Sequence, residues 1–123
     1  MPETLDFQQR RIRILFWRTI IALLKEAHHI RFKGRRFGHD VQLLLVYGAA
    51  VTFFLEGEKV RIAPLARYLE MPHETVRRHM KTITKMELME AEDHTFKPTG
   101  AIRLINISNI EKIMKECARE IIF

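Results

Sequence analysis

Residues 65–80, Leu65-Ala66-Arg67-Tyr68-Leu69-Glu70-Met71-Pro72-His73-Glu74-Thr75-Val76-Arg77-Arg78-His79-Met80, decide how the whole chain is read. Met71-Pro72 must interrupt any helix, because a proline pushes the residue before it out of helical geometry. The segments on either side are helical. Ala63 to Glu70 holds Pro64 near its first turn, where a missing N–H costs nothing, and His73 to Glu87 follows the break. Two helices that meet across so short a turn need a small residue where they cross, and Ala66 supplies it. They also need apolar contacts from both sides, and Leu65, Leu69, Met71, Val76 and Met80 fall at the required offsets.

Working outward, Val41 to Leu55 is an apolar run of fifteen residues between Asp40 and Glu56. A membrane span needs roughly 20, so a buried core helix is expected, with Asp40 as its N-cap and Gly57 just past its end. Val60-Arg61-Ile62 alternates apolar and charged residues and reads as a very short strand. Leu88 to Phe96 reads as a tight hairpin around Asp93-His94, with Pro98-Thr99-Gly100 closing the unit. Helix, short strand, short helix, turn, helix and hairpin in that order is the winged helix-turn-helix topology. The expected fold is therefore mostly α, a three-helix core with a small β-hairpin wing.

In the helix after the turn, Val76, Met80, Ile83 and Met86 or Glu87 recur at helical spacing and face the core. The opposite face carries Glu74, Arg77, Arg78, Lys81 and Lys85, four of the five positive. A helix-turn-helix lays this second helix into the major groove of duplex DNA. Here a resemblance enters. His73-Glu74-Thr75-Val76-Arg77-Arg78 looks like the start of the recognition helix in winged helix-turn-helix transcriptional regulators of the cyclic-AMP receptor type. The likeness extends over residues 41–98, with its core at 62–82. It implies that Glu74 accepts from a cytosine amino group, that Arg78 pairs bidentately with a guanine edge, and that Thr75 touches a phosphate. Arginine matches the two guanine acceptors, and a carboxylate suits the cytosine donor. The family often has Arg where His73 stands and Gly where Glu70 stands. The N-terminal forty residues read as helical and basic rather than as the family's nucleotide-binding barrel, so cyclic-nucleotide control is not expected. Glu74 also has a plainer role, either offsetting the helix macrodipole or pairing with Arg78 at i,i+4.

The flanks extend this unit. Residues 4–30 read as one long helix in which Ile12, Phe16, Ile20, Leu23, Leu24 and Ala27 recur at helical spacing, widened by Ile14, Leu15, Trp17 and Ile21. A helix apolar around most of its circumference needs partners on more than one side. Arg31 to Gly38 reads as a loop in which Arg31, Lys33, Arg35 and Arg36, interleaved with Phe32 and Phe37, are candidates for gripping backbone phosphates; such contacts position without reading sequence. The alternative is a solvated loop whose phenylalanines pack back onto the core. Residues 101–107 are ambiguous between strand and extended linker. Ser108 with Glu111 has a capping-box pattern and opens a last helix striped by Ile110, Ile113, Met114, Cys117, Ile121 and Ile122. The expected organisation is a basic helix and loop over 1–40, the winged core over 41–100, and a C-terminal helix over 101–123. The two flanks are expected to dimerise.

Charge placement agrees with a polyanionic partner. Residues 1–40 hold nine Lys/Arg against four Asp/Glu, while 41–123 hold twelve against eleven. The 123 residues suit one domain, and 47% apolar composition with five Gly and four Pro is that of a folded protein. A single cysteine excludes a disulfide framework, no secretory signal is visible, and a cytoplasmic location is expected. The only serine is Ser108, no Gly-rich phosphate loop exists, and no two of the six histidines share i,i+4 spacing. The chain is accordingly read as no enzyme, without cofactor or metal. The reading is a DNA-binding transcriptional regulator, a homodimer on double-stranded DNA. The alternative is a winged-helix adaptor that docks another protein's helix on residues 12–27.

Overall fold

The computed structural model describes residues 7–32, 34–99 and 108–122, the side chains of 121 and 122 excepted. The fold is mostly helical with one small antiparallel sheet. Its elements are α1 (Phe7–Arg31), a single 3-10 turn (Phe37–His39), α2 (Val41–Leu55), α3 (Ile62–Leu69), α4 (His73–Lys85), β1 (Met89–Glu92), β2 (Thr95–Pro98) and α5 (Ser108–Ile122). The expectations for residues 4–6, Lys33, Gly100 and 101–107 lie outside the described residues. The chain divides into two compact units, Met1–Gly34 with Asn106–Phe123, and Arg35–Ile105.

In the first unit α1 and α5 pack against each other. They run antiparallel, because Arg11 bonds Glu120 at 2.7 Å and Asn109 donates to Glu26 at 3.1 Å. Leu15, Thr19 and Ala22 of α1 and Ile113 and Cys117 of α5 line a common groove along the seam. One side of the wide apolar stripe thus finds its partner within the same chain. Phe7, Ile14, Trp17 and Ile21, at heptad spacing on another side of α1, remain 47–79% exposed. Phe32 packs inward, as the alternative reading of the loop expects of its phenylalanines. It is buried, and its ring stacks on that of His28 at 5.4 Å.

In the second unit α2 packs on α3, α4 and β2, and α4 packs on β1. The core is made of Leu43, Val46, Ala50, Leu65, Val76, Met80, Ile83 and Met89, each no more than 2% exposed. Truncating one of these large side chains to Ala typically costs about 2–5 kcal/mol. Ala66 is 2% exposed in α3, the helix that packs on both α2 and α4, and a larger residue there would overpack. Three sequence expectations need correction. Asp40 gives α2 its first carbonyl, to Leu44 N at 2.7 Å, but its side chain makes no cap bond. The short strand shrinks to a single bridge, Val60 to Phe96, because Ile62 already begins α3. The helix after the turn stops at Lys85 rather than Glu87, and Met86 is its C-cap.

The ends of three helices share one device. The amides of Gly57, Glu70 and Glu87 each bond a carbonyl three residues back, and those of Glu58, Met71 and Leu88 each bond one five residues back. That pair of bonds is the Schellman motif, which holds the residue after the helix in the left-handed region. Gly57 has φ 83°, Glu70 φ 54° and Glu87 φ 62°. The glycine adopts this conformation freely, whereas the two glutamates carry a Cβ penalty.

Candidate nucleic-acid interface

The α3 helix and its turn set the direction of α4. Glu70 reverses the chain in one residue, Met71 and Pro72 extend it, and Pro72 O accepts the amide of Val76 at 3.1 Å to start α4. Once Val76, Met80 and Ile83 are sealed in the core at 0% exposure, the helical repeat fixes where every other side chain on α4 points. His73, Glu74, Arg77, Arg78, Lys81 and Lys85 are exposed, and Thr75 is half-buried.

The exposed residues separate into two rows. Arg77, Lys81 and Lys85, with Thr84, line a groove of about 610 Å³ against the hairpin. Arg78 follows Arg77 by one residue and so lies about 100° further round the helix, where it borders no part of that groove. Glu74 does not pair with Arg78. Its carboxylate accepts a bond from Arg77, three residues on. Both partners are at least 47% exposed, so the ion pair orients Arg77 more than it stabilises the fold. Beyond Arg78, His79 turns toward α2, with Nε2 3.3 Å from Gln42 Oε1. Burial and the positive charge of Arg78 hold the His79 pKa below its ordinary value, against an opposing pull from Asp40.

The hairpin's acidity divides between its two faces. In the register Glu90 pairs with Lys97 and Ala91 with Phe96. Side chains alternate across a strand, so Glu90, Glu92 and Lys97 share the face opposite to Ala91. Lys97 Nζ lies 3.9 Å from Glu90 and 3.6 Å from Glu92. On the α4 side the wall of the groove is Ala91, Phe96 and Ile62, with Arg61 at its edge; Asp93 is the one acid among the lining residues. The sequence shows three acids in the hairpin. Only the register reveals that two of them turn away from α4.

The loop cations have different placements. Arg31 is the last residue of α1 and half-buried, and Lys33 lies outside the described residues. Arg35 binds Asp40 through Nε and Nη2 at 2.8 and 2.9 Å. This bond raises the Arg35 pKa further above its ordinary value. Arg36 is exposed and lines a shallow depression with Arg35, His39 and Asp40. Neither borders the α4–hairpin groove. Arg61 joins the lining of the groove without belonging to the helix that carries the other cations. The alternation Val60-Arg61-Ile62 was the available signal, since a buried Val60 leaves Arg61 pointing outward.

Among the described residues no His, Cys, Asp and Glu cluster has the arrangement of a metal site, and no helix is long and apolar enough to cross a membrane. No protein-family model matches the chain, and no curated protein or solved structure shows significant similarity to it.

Proposed function

We propose that this chain is a winged helix-turn-helix DNA-binding protein, a transcriptional regulator that lays α4 in the major groove of duplex DNA. The observation that carries this reading is the two-sided character of α4. Val76, Met80 and Ile83 are fully buried, while Arg77, Arg78, Lys81 and Lys85 stand exposed. A helix held rigidly by its inner row can insert its outer row into a groove of fixed width. Arg78 is the candidate for direct base readout, with Glu74 as its acidic neighbour, and Thr75 is a candidate phosphate contact. His73 lies at the start of α4, where helix N-termini meet the phosphate backbone. Arg31, Lys33, Arg35 and Arg36 remain candidates for backbone contact, Arg35 only in so far as Asp40 leaves it free.

The same reading makes the protein a homodimer through its terminal helices, so that two copies of α4 reach successive major grooves. The exposed Phe7, Ile14, Trp17 and Ile21 support it. They equally favour an adaptor that docks a helix of another protein on α1. Salt separates the two readings, because affinity for random duplex falls steeply with ionic strength in a DNA-binding protein. A heterotypic complex indifferent to DNA is the mark of an adaptor.

The decisive experiment selects bound duplexes from a random pool and then measures the preferred one against the double variant Arg77→Ala, Arg78→Ala. Enrichment of two mirrored half-sites is expected, with loss of specific binding in the double variant. An unenriched pool, or equal affinity of the variant, overturns the assignment.

A further inference from the structure

The groove between α4 and the hairpin has no role in the reading of α4 as a base-contacting helix, yet four cations and a single acid line it. Arg77, Lys81 and Lys85 follow one another at four-residue spacing, so they form a row with steps of about 6 Å along the helix. Arg61 adds a fourth cation, from the residue that caps the start of α3. Asp93 is the one acid among the lining residues; Glu74, outside the lining, pairs with Arg77, and the strand register sends Glu90 and Glu92 to the opposite face, where Lys97 offsets part of their charge. The floor and far wall are Ile62, Ala91 and Phe96, which offer apolar contact and no competing carboxylate.

We propose that this groove seats one phosphodiester strand of the bound duplex, and that Arg61 is a positioning residue for it. The inference rests on the DNA-binding reading and adds to it a site for the backbone. A row of evenly spaced cations suits a linear polyanion, whereas a compact anion would engage one or two of them. The alkyl stems and Phe96 would lie along the sugars. The geometry then divides labour on α4. The row at 77, 81 and 85 holds the backbone and sets depth and register, and Arg78, outside the groove, reads bases.

The test measures duplex binding by fluorescence anisotropy over a series of salt concentrations, for the wild-type protein and Arg61→Ala. Lys112→Ala on α5 serves as a control of equal charge change. Arg61→Ala should weaken binding to the preferred and a random duplex by the same factor, about three- to tenfold, and flatten the salt slope by about 1. Lys112→Ala should leave both unchanged. A second pair guards against a trivial folding effect. Ala91 is exposed, and Ala91→Glu should weaken binding on all sequences where Ala91→Gln does not. Wild-type slope and affinity in Arg61→Ala would overturn the groove assignment while leaving the DNA-binding reading intact. Absence of any duplex binding by the wild-type protein would overturn both. Inorganic phosphate should displace the duplex no better than chloride at equal ionic strength. Displacement by low millimolar phosphate would mark a free-anion site and reject the strand.

Discussion

Arg35 grips Asp40 with two nitrogens on two oxygens, at 2.8 and 2.9 Å, and Asp40 is only 2% exposed. This bidentate bond explains why the aspartate makes no side-chain cap on α2, since its acceptor sites turn to the guanidinium instead. It also assigns Arg35 a structural task that competes with gripping DNA. Arg35→Ala removes two charge-assisted hydrogen bonds from a buried carboxylate, and the expected cost is about 2 kcal/mol, moderated by water reaching a site that is open on the arginine side. Arg35→Ala with Asp40→Ala should cost less than Arg35→Ala alone. Urea midpoints for the three variants check this. A single variant as stable as wild type removes the structural role and returns Arg35 to the phosphate contacts.

The left-handed glutamates offer a gain in stability. Glu70 has φ 54° and ψ 47° at the end of α3 and is exposed, so its side chain contributes little to set against its backbone cost. Glu70→Gly should stabilise the protein by about 1 kcal/mol, the difference between a Cβ and none in this conformation, less the greater freedom of glycine in the unfolded chain. Glu87→Gly should act likewise at the end of α4. The two sites close different helices, and their effects should add. Thermal unfolding of both singles and the double tests the claim, and a drop in Tm for Glu70→Gly contradicts it.

His79 sets a pH limit on stability. Burial first and Arg78 second hold its pKa below the unfolded value, which is about 6.5. Above that pH the imidazole is neutral in both states and the fold is unaffected. As pH falls through the unfolded value, the unfolded chain takes up the proton first, so stability declines until the lowered folded pKa is reached. The urea midpoint should therefore fall between pH 7.5 and 5, and His79→Gln, which keeps a polar partner for Gln42, should flatten that decline. Arg78→Ala removes one cause of the depression and should shift the His79 imidazole signals toward higher pKa in an NMR titration. Parallel pH profiles for wild type and His79→Gln would rule out the coupling.

The elements around the turn were legible because each rests on local chemistry. Pro72 forbids the helix to continue, Pro64 tolerates only its start, and Val76, Met80 and Ile83 mark the inner row by spacing alone. What escaped the sequence depended on partners distant along the chain. No local pattern shows that Arg35 will claim the Asp40 carboxylate. Nor does any pattern show that α5 will cover the side of α1 bearing Leu15, Thr19 and Ala22. The hairpin's acids illustrate the point most clearly. Composition makes residues 88–96 look repellent to phosphate, and only the pairing of Ala91 with Phe96 shows which face the charges occupy. Glu70 was foreseeable as a strained position only through the glycine that the resembling family keeps there. Glu87 had no such signal.

The apolar side of α1 that α5 leaves open makes the final prediction. Phe7, Ile14 and Ile21 repeat every seven residues with Trp17 between them, the spacing at which two helices supercoil along one seam. Their exposure, 47–79%, leaves large apolar area facing solvent, of the kind that marks an interaction surface. If a second copy covers it, Trp17→Gln with Ile21→Gln should shift sedimentation equilibrium from dimer to monomer at about 10 µM. Because neither side chain is buried in the single chain, the folded monomer should lose little stability, within about 0.5 kcal/mol per site. The variant should bind a single half-site as the wild type does, yet lose the extra affinity for two mirrored half-sites that linkage provides. A wild-type chain that sediments as a monomer at about 100 µM, with no preference for paired half-sites, would assign this face to another protein.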